Sequence, residues 1–239
     1  MSELNKRIIT SFFLLLVIFF LFLNLKILSC FLFILTFMSL VELNNIFKRI
    51  YKKKHFLQFV LNFLSVLYLG YFSITIIIFL LESFIINKFV VLFLLIICIS
   101  TDIGGYIFGK IIGGKTLTSI SPNKTYSGFV GSFLLSIFVG YFCYKILNDL
   151  LIININILYL IIITSFISQV GDLFISLLKR KAKIKDTGSI LPGHGGVLDR
   201  IDGMLFALPI GVLIIKMYSK NNERFNITRF HRIYWKCCF

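Results

Sequence analysis

The sequence predicts an all-α, polytopic integral membrane protein, and three observations lead to this prediction. Hydrophobic residues make up 58% of the 239 residues, and the mean hydropathy is +0.95. The apolar residues form long blocks, and about 20 consecutive apolar residues span a bilayer as a helix. The 25 basic residues are clustered between these blocks. We expect about seven transmembrane helices, within a range of roughly six to nine.

The candidate helices follow from the apolar blocks in chain order. They are predicted over residues 8–23, 27–47, 57–84, 89–112, 128–148, 152–179 and 203–218. The block at 57–84 is long enough for two short crossings. A single crossing places the basic cluster from Lys48 to Lys54 on the side of Lys6 and Arg7, as the preference of basic loops for the cytoplasm requires. We therefore expect one crossing and a cytoplasmic N-terminus.

This topology divides the chain into three parts. Residues 1–88 form N-terminal transmembrane helices, and residues 89–218 form a second transmembrane domain with polar loops at 113–127 and 180–202. Residues 219–239 form a basic tail of uncertain structure. The tail would lie outside, against the rule that placed the other basic clusters. The net charge of +15 does not indicate nucleic-acid binding, because no soluble stretch is long enough to carry it.

One stretch, residues 176–202, differs from the rest of the chain and is called the polar segment here. It contains Lys179, Arg180, Lys181, Lys183, Lys185, Asp186, Gly188, Gly193, His194, Gly195, Gly196, Asp199, Arg200 and Asp202. A lipid-facing surface does not tolerate such a density of ions. The segment must lie at a membrane edge or line a polar cavity. The glycines between Pro192 and Gly196 allow the backbone to fold tightly against a ligand.

The predicted helix before the polar segment carries a polar stripe. Gln169, Asp172, Ser176 and Lys179 follow one another at offsets of three, four and three residues, which places them on one helix face. Such a stripe on an apolar helix faces the protein interior or a cavity. Asp102 lies in another predicted span, where a carboxylate is a functional candidate by default.

Two further features lie between residues 102 and 128. Gly105, Gly109 and Gly113 are spaced by four residues, which indicates close approach of another helix. The loop that follows contains Ser121, Pro122, Lys124 and Thr125. Its hydroxyls, backbone N–H groups and ammonium suit phosphate oxygens, although a plain turn would look similar.

The acidic residues indicate the chemistry. The chain has ten of them, and four lie at predicted helix ends on one side of the membrane: Asp102, Asp172, Asp199 and Asp202. Asp199 and Asp202 are three residues apart, so they share a helix face and could bind one divalent cation. Carboxylates that hold Mg²⁺, surrounded by basic groups and glycines, are typical of phosphoryl or nucleotidyl transfer.

These motifs together resemble a known family. The fixed positions of the polar segment are Ser176, Lys179, Arg180, Lys185, Asp186, Gly188, Leu191, Pro192, His194, Gly195, Gly196, Asp199, Arg200 and Asp202, and they resemble the signature of the phosphatidate cytidylyltransferase (CDP-diacylglycerol synthase) family. The stretches from Asp102 to Lys110 and from Ser121 to Gly128 look like the same family. The sequence departs from the family pattern at Ser127, where Glu or Gln is usual.

The resemblance implies transfer of the cytidylyl group from CTP to phosphatidate, which gives CDP-diacylglycerol and pyrophosphate. The implied catalytic residues are Asp172, Lys179, Arg180, Lys185, Asp186, His194, Asp199, Arg200 and Asp202. The implied substrate-binding residues are Asp102, Lys110, Ser121, Pro122, Lys124, Thr125, Ser176, Gly193, Gly195 and Gly196. The implied ligands of Mg²⁺ are Asp172, Asp199 and Asp202, and a second cation is left open.

The resemblance also implies a bacterial cytoplasmic (inner) membrane protein with a site that faces the cytoplasm. Membrane lipid is an expected partner, and a homodimer is left open. Two other classes remain as alternatives. A lipid-alcohol kinase would use similar carboxylates with a nucleoside triphosphate. A transporter could carry Asp102 and Asp172 within the membrane, but it would be expected to show internal repeats, and the sequence shows none.

Overall fold

A computed structural model describes residues 22–118, 121, 124–147, 150–151, 153, 155–188 and 195–220. Within these residues the protein is helical, apart from one isolated antiparallel bridge between Thr116 and Thr125. The six helices are α1 (Leu25–Ile50), α2 (His55–Glu82), α3 (Phe84–Ile111), α4 (Tyr126–Ile146), α5 (Ile157–Lys181) and α6 (Leu198–Lys220). All six are long and apolar enough to cross a membrane. The all-α, polytopic prediction is therefore confirmed.

The helix bounds correct several details of the prediction. The block at 57–84 forms one continuous helix, α2, so a single crossing was the right choice. The last helix begins at Leu198 and not at residue 203, which moves Asp199 and Asp202 from a loop into the first turns of α6. The predicted boundary between residues 88 and 89 falls inside α3. The predicted helix at 8–23 lies almost wholly outside the described residues, as does the tail.

The helices form one bundle in which α3 and α6 are the most central. α3 packs most extensively against α4, and α6 packs most extensively against α5 and also contacts α2 and α3. The buried core comes from α1, α2, α3, α5 and α6 and includes Phe93 and Leu94 of α3 and Leu205 of α6, while α4 packs partly buried side chains such as Ile137 against it. Apolar side chains such as Phe56 and Phe138 remain exposed on the outside, as expected for lipid contact.

Small residues allow α3 and α4 to approach closely. A Cβ added at Gly104 would lie 2.8 Å from the backbone oxygen of Gly131 in α4. Gly105 and Gly109 face Gly128 of α4, as the spacing of the glycine row predicted. Gly113 does not belong to this interface. It has a φ of 65° in the turn after α3, where nothing lies near an added Cβ.

The alternating direction of the helices brings three connections to one end of the bundle. These are residues 51–54 between α1 and α2, residues 112–125 between α3 and α4, and residues 182–197 between α5 and α6. Contacts of α1 with the last connection, and of residue 124 with α5, join this end of the molecule. The polar loops predicted at 113–127 and 180–202 therefore share one side of the bundle.

Candidate active site

A cavity of about 250 Å³ opens between α3, α4 and α5, at the end of the bundle that carries the polar loops. It is lined by Thr101, Asp102, Gly105, Tyr106, Leu117, Lys124, Thr125, Gly128, Phe129, Ser132, Gln169 and Asp172. The lining combines residues from three separate stretches of the sequence that were predicted to act together. Because the cavity lies among membrane-spanning helices, it can receive a molecule that is partly polar and partly apolar.

The connection from α3 to α4 folds back on itself and presents Lys124 to the cavity. The N–H of Leu117 donates to the backbone oxygen of Lys124 at 2.6 Å, and the N–H of Tyr126 donates to that of Lys115 at 3.2 Å. The paired backbone fixes the position of Lys124, whose ammonium forms an ion pair with Asp172 of α5. The Lys124 side chain is 29% exposed and that of Asp172 is 27% exposed, so a ligand can reach both.

Thr125 and Ser127 have structural partners beside the cavity. Thr125 is the N-cap of α4, and its Oγ1 accepts a hydrogen bond from the N–H of Gly128 at 3.1 Å. The hydroxyl of Ser127 lies 2.9 Å from that of Thr125 and donates to the backbone oxygen of Gly113. Ser127, which stands where the resembling family usually has Glu or Gln, therefore ties the start of α4 to the turn after α3.

Asp172 lies at the centre of a group of carboxylates. Ser176, one turn further along α5, donates to Asp172 Oδ1 at 3.3 Å, as expected for the predicted polar stripe. Asp102 of α3 and Asp202 of α6 both lie within electrostatic range of Asp172. The positive charges of Lys124 and Arg200 attract the carboxylate of Asp102, whereas the charge of Asp172 repels it. Asp102 and Asp172 thus line the same cavity, and the charge of Asp202 on α6 also acts on both.

Asp199 is held by the protein itself. Its Oδ1 accepts from the ammonium of Lys179 at 2.7 Å, and its Oδ2 accepts from the N–H groups of Thr187 at 2.8 Å and Gly196 at 3.0 Å. Its side chain is only 5% exposed. Both Asp199 oxygens have protein partners in this structure, and the pairing of Asp199 with Asp202 on one cation stays a prediction. Asp202 accepts from the N–H of Gly203 at 2.8 Å.

Other predicted site residues lie away from the cavity or at its margin. Lys110 is exposed and faces the ring of Tyr106 at 5.6 Å, and it does not line the cavity. Arg180, Lys185, Asp186 and Arg200 are exposed along the polar segment. The backbone of Ser121 accepts from the N–H of Lys124 at 3.0 Å. Pro122, Gly193 and His194 lie outside the described residues, and their assigned roles stay predictions.

The residues present suit a divalent cation only in part. In the part of the chain that the structure describes, no three His, Cys, Asp or Glu side chains are grouped closely enough to hold a metal ion by themselves. Mg²⁺ usually needs only one or two carboxylates, because water and substrate phosphates supply its other ligands. Asp172 lines the cavity and can supply one such ligand, while the assignments of Asp199 and Asp202 to the cation stay predictions.

One residue of this end of the molecule was missed from the sequence. Glu42 of α1 is 2% exposed and contacts the polar segment through three hydrogen bonds. The sequence contained one signal, a single acid within an apolar run of α1. That signal does not identify a partner, because the partners of Glu42 are 145 to 156 residues further along the chain.

Comparison with known proteins agrees with the geometry. The model of the Cytidylyltransferase family matches residues 50–218. A protein of Bacillus subtilis (strain 168) named phosphatidate cytidylyltransferase is 42% identical over 124 residues, which cover 50% of this chain and 45% of the relative. Proteins of the same name from Staphylococcus haemolyticus and Staphylococcus epidermidis are both 43% identical, over 122 and 131 residues.

The two staphylococcal matches cover 49% and 53% of this chain and 45% and 49% of the relatives. The chain thus spans about half the length of the curated relatives it matches. The family match extends over most of the chain and includes the cavity, the ion pair of Lys124 with Asp172, and the polar segment. The chain belongs to the cytidylyltransferase family.

Proposed function

We propose that this protein transfers the cytidylyl group of CTP to phosphatidate and so forms CDP-diacylglycerol and pyrophosphate. The proposal rests on one observation. Asp102, Lys124 and Asp172 line the same cavity among membrane-spanning helices. A lipid can reach this position from the membrane, and a nucleotide can reach it from the polar end of the bundle. The names of the relatives support the same substrates.

The reaction requires little covalent chemistry from the protein. A phosphate oxygen of phosphatidate attacks the α-phosphorus of CTP, and a new P–O bond forms. The bond from the α-phosphorus to the oxygen that bridges it to the β-phosphorus breaks, and pyrophosphate leaves with that electron pair. Phosphatidate is already anionic at neutral pH, so the attack needs no strong general base. The protein must mainly align two anions and neutralise charge.

The basic residues of the site can supply this neutralisation. Lys124 points at the cavity from a fixed backbone and would hold a phosphate of one substrate. Lys179 lies about two turns beyond Asp172 on the same face of α5, in the polar segment. Its ammonium donates a hydrogen bond to Asp199 at 2.7 Å. We assign Lys179, Arg180, Lys185, His194 and Arg200 to the triphosphate and the leaving pyrophosphate.

Mg²⁺ is the cofactor that the carboxylates suit, with a second cation as an extension of the proposal. Asp172 and Asp202 would hold it, and Asp102 would add negative charge nearby. When bound, the ion would neutralise phosphate charge and so reduce the repulsion between the two substrates. Ser176 orients Asp172 for this role through its 3.3 Å hydrogen bond. We place the protein in a bacterial cytoplasmic membrane with this site on the cytoplasmic side, where CTP is present.

The test uses purified protein, phosphatidate and CTP that carries one label in the cytidine and another in the γ-phosphate. We expect the cytidine label in the lipid product and the γ-label in pyrophosphate, with Mg²⁺ required. Diacylglycerol in place of phosphatidate should give no labelled lipid. Transfer of the γ-label to a lipid would identify a lipid kinase instead, and no labelled lipid under any condition would contradict the proposal.

A further inference from the structure

The buried carboxylate of Glu42 joins α1 to the polar segment. Its Oε2 accepts from the hydroxyl of Thr187 at 2.6 Å and from the N–H of Leu198 at 2.9 Å. Its Oε1 accepts from the N–H of Val197 at 2.9 Å. The residue is 2% exposed, so water does not compete for these bonds. Buried hydrogen bonds to a charged acceptor are stronger than neutral ones and costly to lose.

Two of the three bonds fix the start of a helix. The first N–H groups of a helix have no partner within it, and the helix dipole makes this end partly positive. Val197 and Leu198 lie at the start of α6, so the Glu42 carboxylate satisfies donors that would otherwise be buried without a partner. Glu42 therefore fixes where α6 begins and which way its first turn faces.

The glycines of the polar segment make room for this carboxylate. A Cβ added at Gly196 would lie 2.5 Å from Oε2 of Glu42, and one added at Gly188 would lie 2.8 Å from Oε1. Any side chain at either position would push the carboxylate or the loop away. In the structure both glycines therefore lie against a residue of α1, and the predicted contact of Gly196 with a ligand stays a prediction.

Thr187 connects Glu42 to the active-site residues. Its hydroxyl lies 2.6 Å from Glu42 Oε2 and 3.0 Å from Asp199 Oδ2, so two carboxylates converge on one hydroxyl. Asp199 in turn holds Lys179. The turn of α6 that Glu42 fixes also carries Asp202, which lies within electrostatic range of Asp172. A displacement of the Glu42 side chain would therefore move the start of α6 and, with it, the proposed cation ligand Asp202.

We propose that Glu42 is a positioning residue of the active site, which sets the start of α6 so that Asp199 holds Lys179 and Asp202 keeps its place further along the same helix. The inference rests on the proposed function. It also extends the site beyond residues 50–218, the part of the chain matched by the family model. α1 thus contributes to the reaction geometry without touching the cavity.

The variants for the test are Glu42→Gln, Thr187→Val and Thr187→Ser, with Glu82→Gln as the control. Glutamine keeps the size of the side chain, but its NH₂ group cannot accept from an N–H or a hydroxyl. Thr187→Ser keeps the bridging hydroxyl, and Thr187→Val removes it. Glu82 also ends in a carboxylate, but it is 54% exposed and pairs with Lys216 at the other end of the bundle.

We expect Glu42→Gln to lower kcat about tenfold or more, with KM for CTP changed less than about twofold. Thr187→Val should resemble it, Thr187→Ser should retain most of the rate, and Glu82→Gln should match the unmodified protein. The double variant Glu42→Gln/Thr187→Val should lose less than the product of the single losses, because the two side chains act as a unit. A normal kcat in the folded Glu42→Gln protein would overturn the proposal.

Hydrogen–deuterium exchange gives a second measurement that does not depend on activity. In Glu42→Gln, peptides that contain residues 195–205 should exchange at least about tenfold faster, while peptides from α4 should not change. Equal exchange in both proteins, or faster exchange throughout the bundle, would overturn the positioning role. If the unmodified protein shows no cytidylyl transfer, the proposed function fails, and the exchange measurement still decides the role of Glu42.

Discussion

Asp172 and Asp199 are both acids of the family signature region, yet their surroundings give them different roles. Both acids have partners at both oxygens, but Asp172 is 27% exposed and lines a cavity, whereas Asp199 is only 5% exposed. A carboxylate that lines a cavity can exchange a protein partner for a ligand. A carboxylate that satisfies a lysine and two backbone N–H groups would leave all three unpaired if it moved to a ligand. Asp172 therefore suits the cation and Asp199 suits the support of the loop.

These roles predict different responses to Mg²⁺. Asp172→Asn should lower kcat about a hundredfold and raise the Mg²⁺ concentration needed for half-maximal rate, because a cation ligand is lost. Asp199→Asn should also lower kcat, but it should leave that Mg²⁺ concentration unchanged. Rates measured over a Mg²⁺ titration, after removal of metal with a chelator, check both expectations. An unchanged Mg²⁺ requirement in Asp172→Asn would remove Asp172 from the cation site.

Lys124 is expected to matter more than the exposed lysines of the connection between α5 and α6. Its ammonium is held by Asp172 at the cavity, while Lys181 and Lys183 are exposed to solvent. Lys124→Ala should lower kcat/KM at least about tenfold, which corresponds to about 1.4 kcal/mol. The double variant Lys181→Ala/Lys183→Ala should lose far less, and mainly at low salt, because exposed charges contribute about 0–1 kcal/mol.

Kinetics of the Lys124 and Lys181/Lys183 variants at two salt concentrations provide the check. A larger loss in the Lys181/Lys183 double variant would mean that the exposed basic run binds the substrate. Lys183 has a φ of 57°, but alanine keeps the Cβ atom, so the substitution does not change the backbone strain at this position.

At the scale of elements, the close contact of α3 with α4 positions the two sides of the cavity. Asp102 and Gly105 come from α3, and Thr125 and Gly128 come from the start of α4. Neither helix can move apart from the other without opening this cavity. The glycines at their interface allow backbones to meet, which in a membrane replaces the hydrophobic driving force that water would provide.

Alanine substitutions of two helical glycines, Gly104 inside this interface and Gly70 outside it, should have opposite effects on stability. Gly104→Ala places a Cβ 2.8 Å from the Gly131 oxygen, so the α3–α4 backbones must separate, at a cost of about 1–3 kcal/mol. Gly70 of α2 has nothing within 4 Å of an added Cβ, so Gly70→Ala should be neutral or stabilising. Thermal unfolding of both variants in one detergent checks this. A Gly104→Ala protein as stable as the unmodified one would contradict the close packing.

At the scale of the whole molecule, the bundle separates a polar end from a less charged one. The connections at 51–54, 112–125 and 182–197 share the polar end, and α2 and α3 meet at the opposite end around Ser83. The polar end holds the ion pair of Lys124 with Asp172 and the pair of Lys179 with Asp199. On the proposed function, CTP approaches from this end, whichever side of the membrane it faces.

Cysteine labelling tests which side that is. In a chain without its five native cysteines, Lys115→Cys and Lys183→Cys should react with a membrane-impermeant maleimide only after the cells are opened. Ser83→Cys should react in intact cells, because it lies at the opposite end of the bundle. Labelling of Lys115→Cys or Lys183→Cys in intact cells would contradict a cytoplasmic site.

The sequence alone determined the membrane helices, the polar stripe on α5 and the residues whose chemistry suits phosphates. These are local properties, since hydrophobicity and a spacing of three or four residues do not depend on distant parts of the chain. The start of α6 was predicted too late, because the polar residues of its first turn do not belong to the apolar block from which the helix was predicted. Glu42 and Asp199 stabilise this first turn through hydrogen bonds. Periodicity cannot detect such support.

Only the tertiary structure decided which acid faces which partner. It joined Lys124 to Asp172, paired Asp199 with Lys179, and brought Glu42 to Thr187 across 145 residues of sequence. Each of these contacts depends on helix packing, and packing is fixed by the shapes of whole helix faces, including the glycines between α3 and α4. The type of a residue limits which partners it can bind, but the fold decides which of these partners lies next to it.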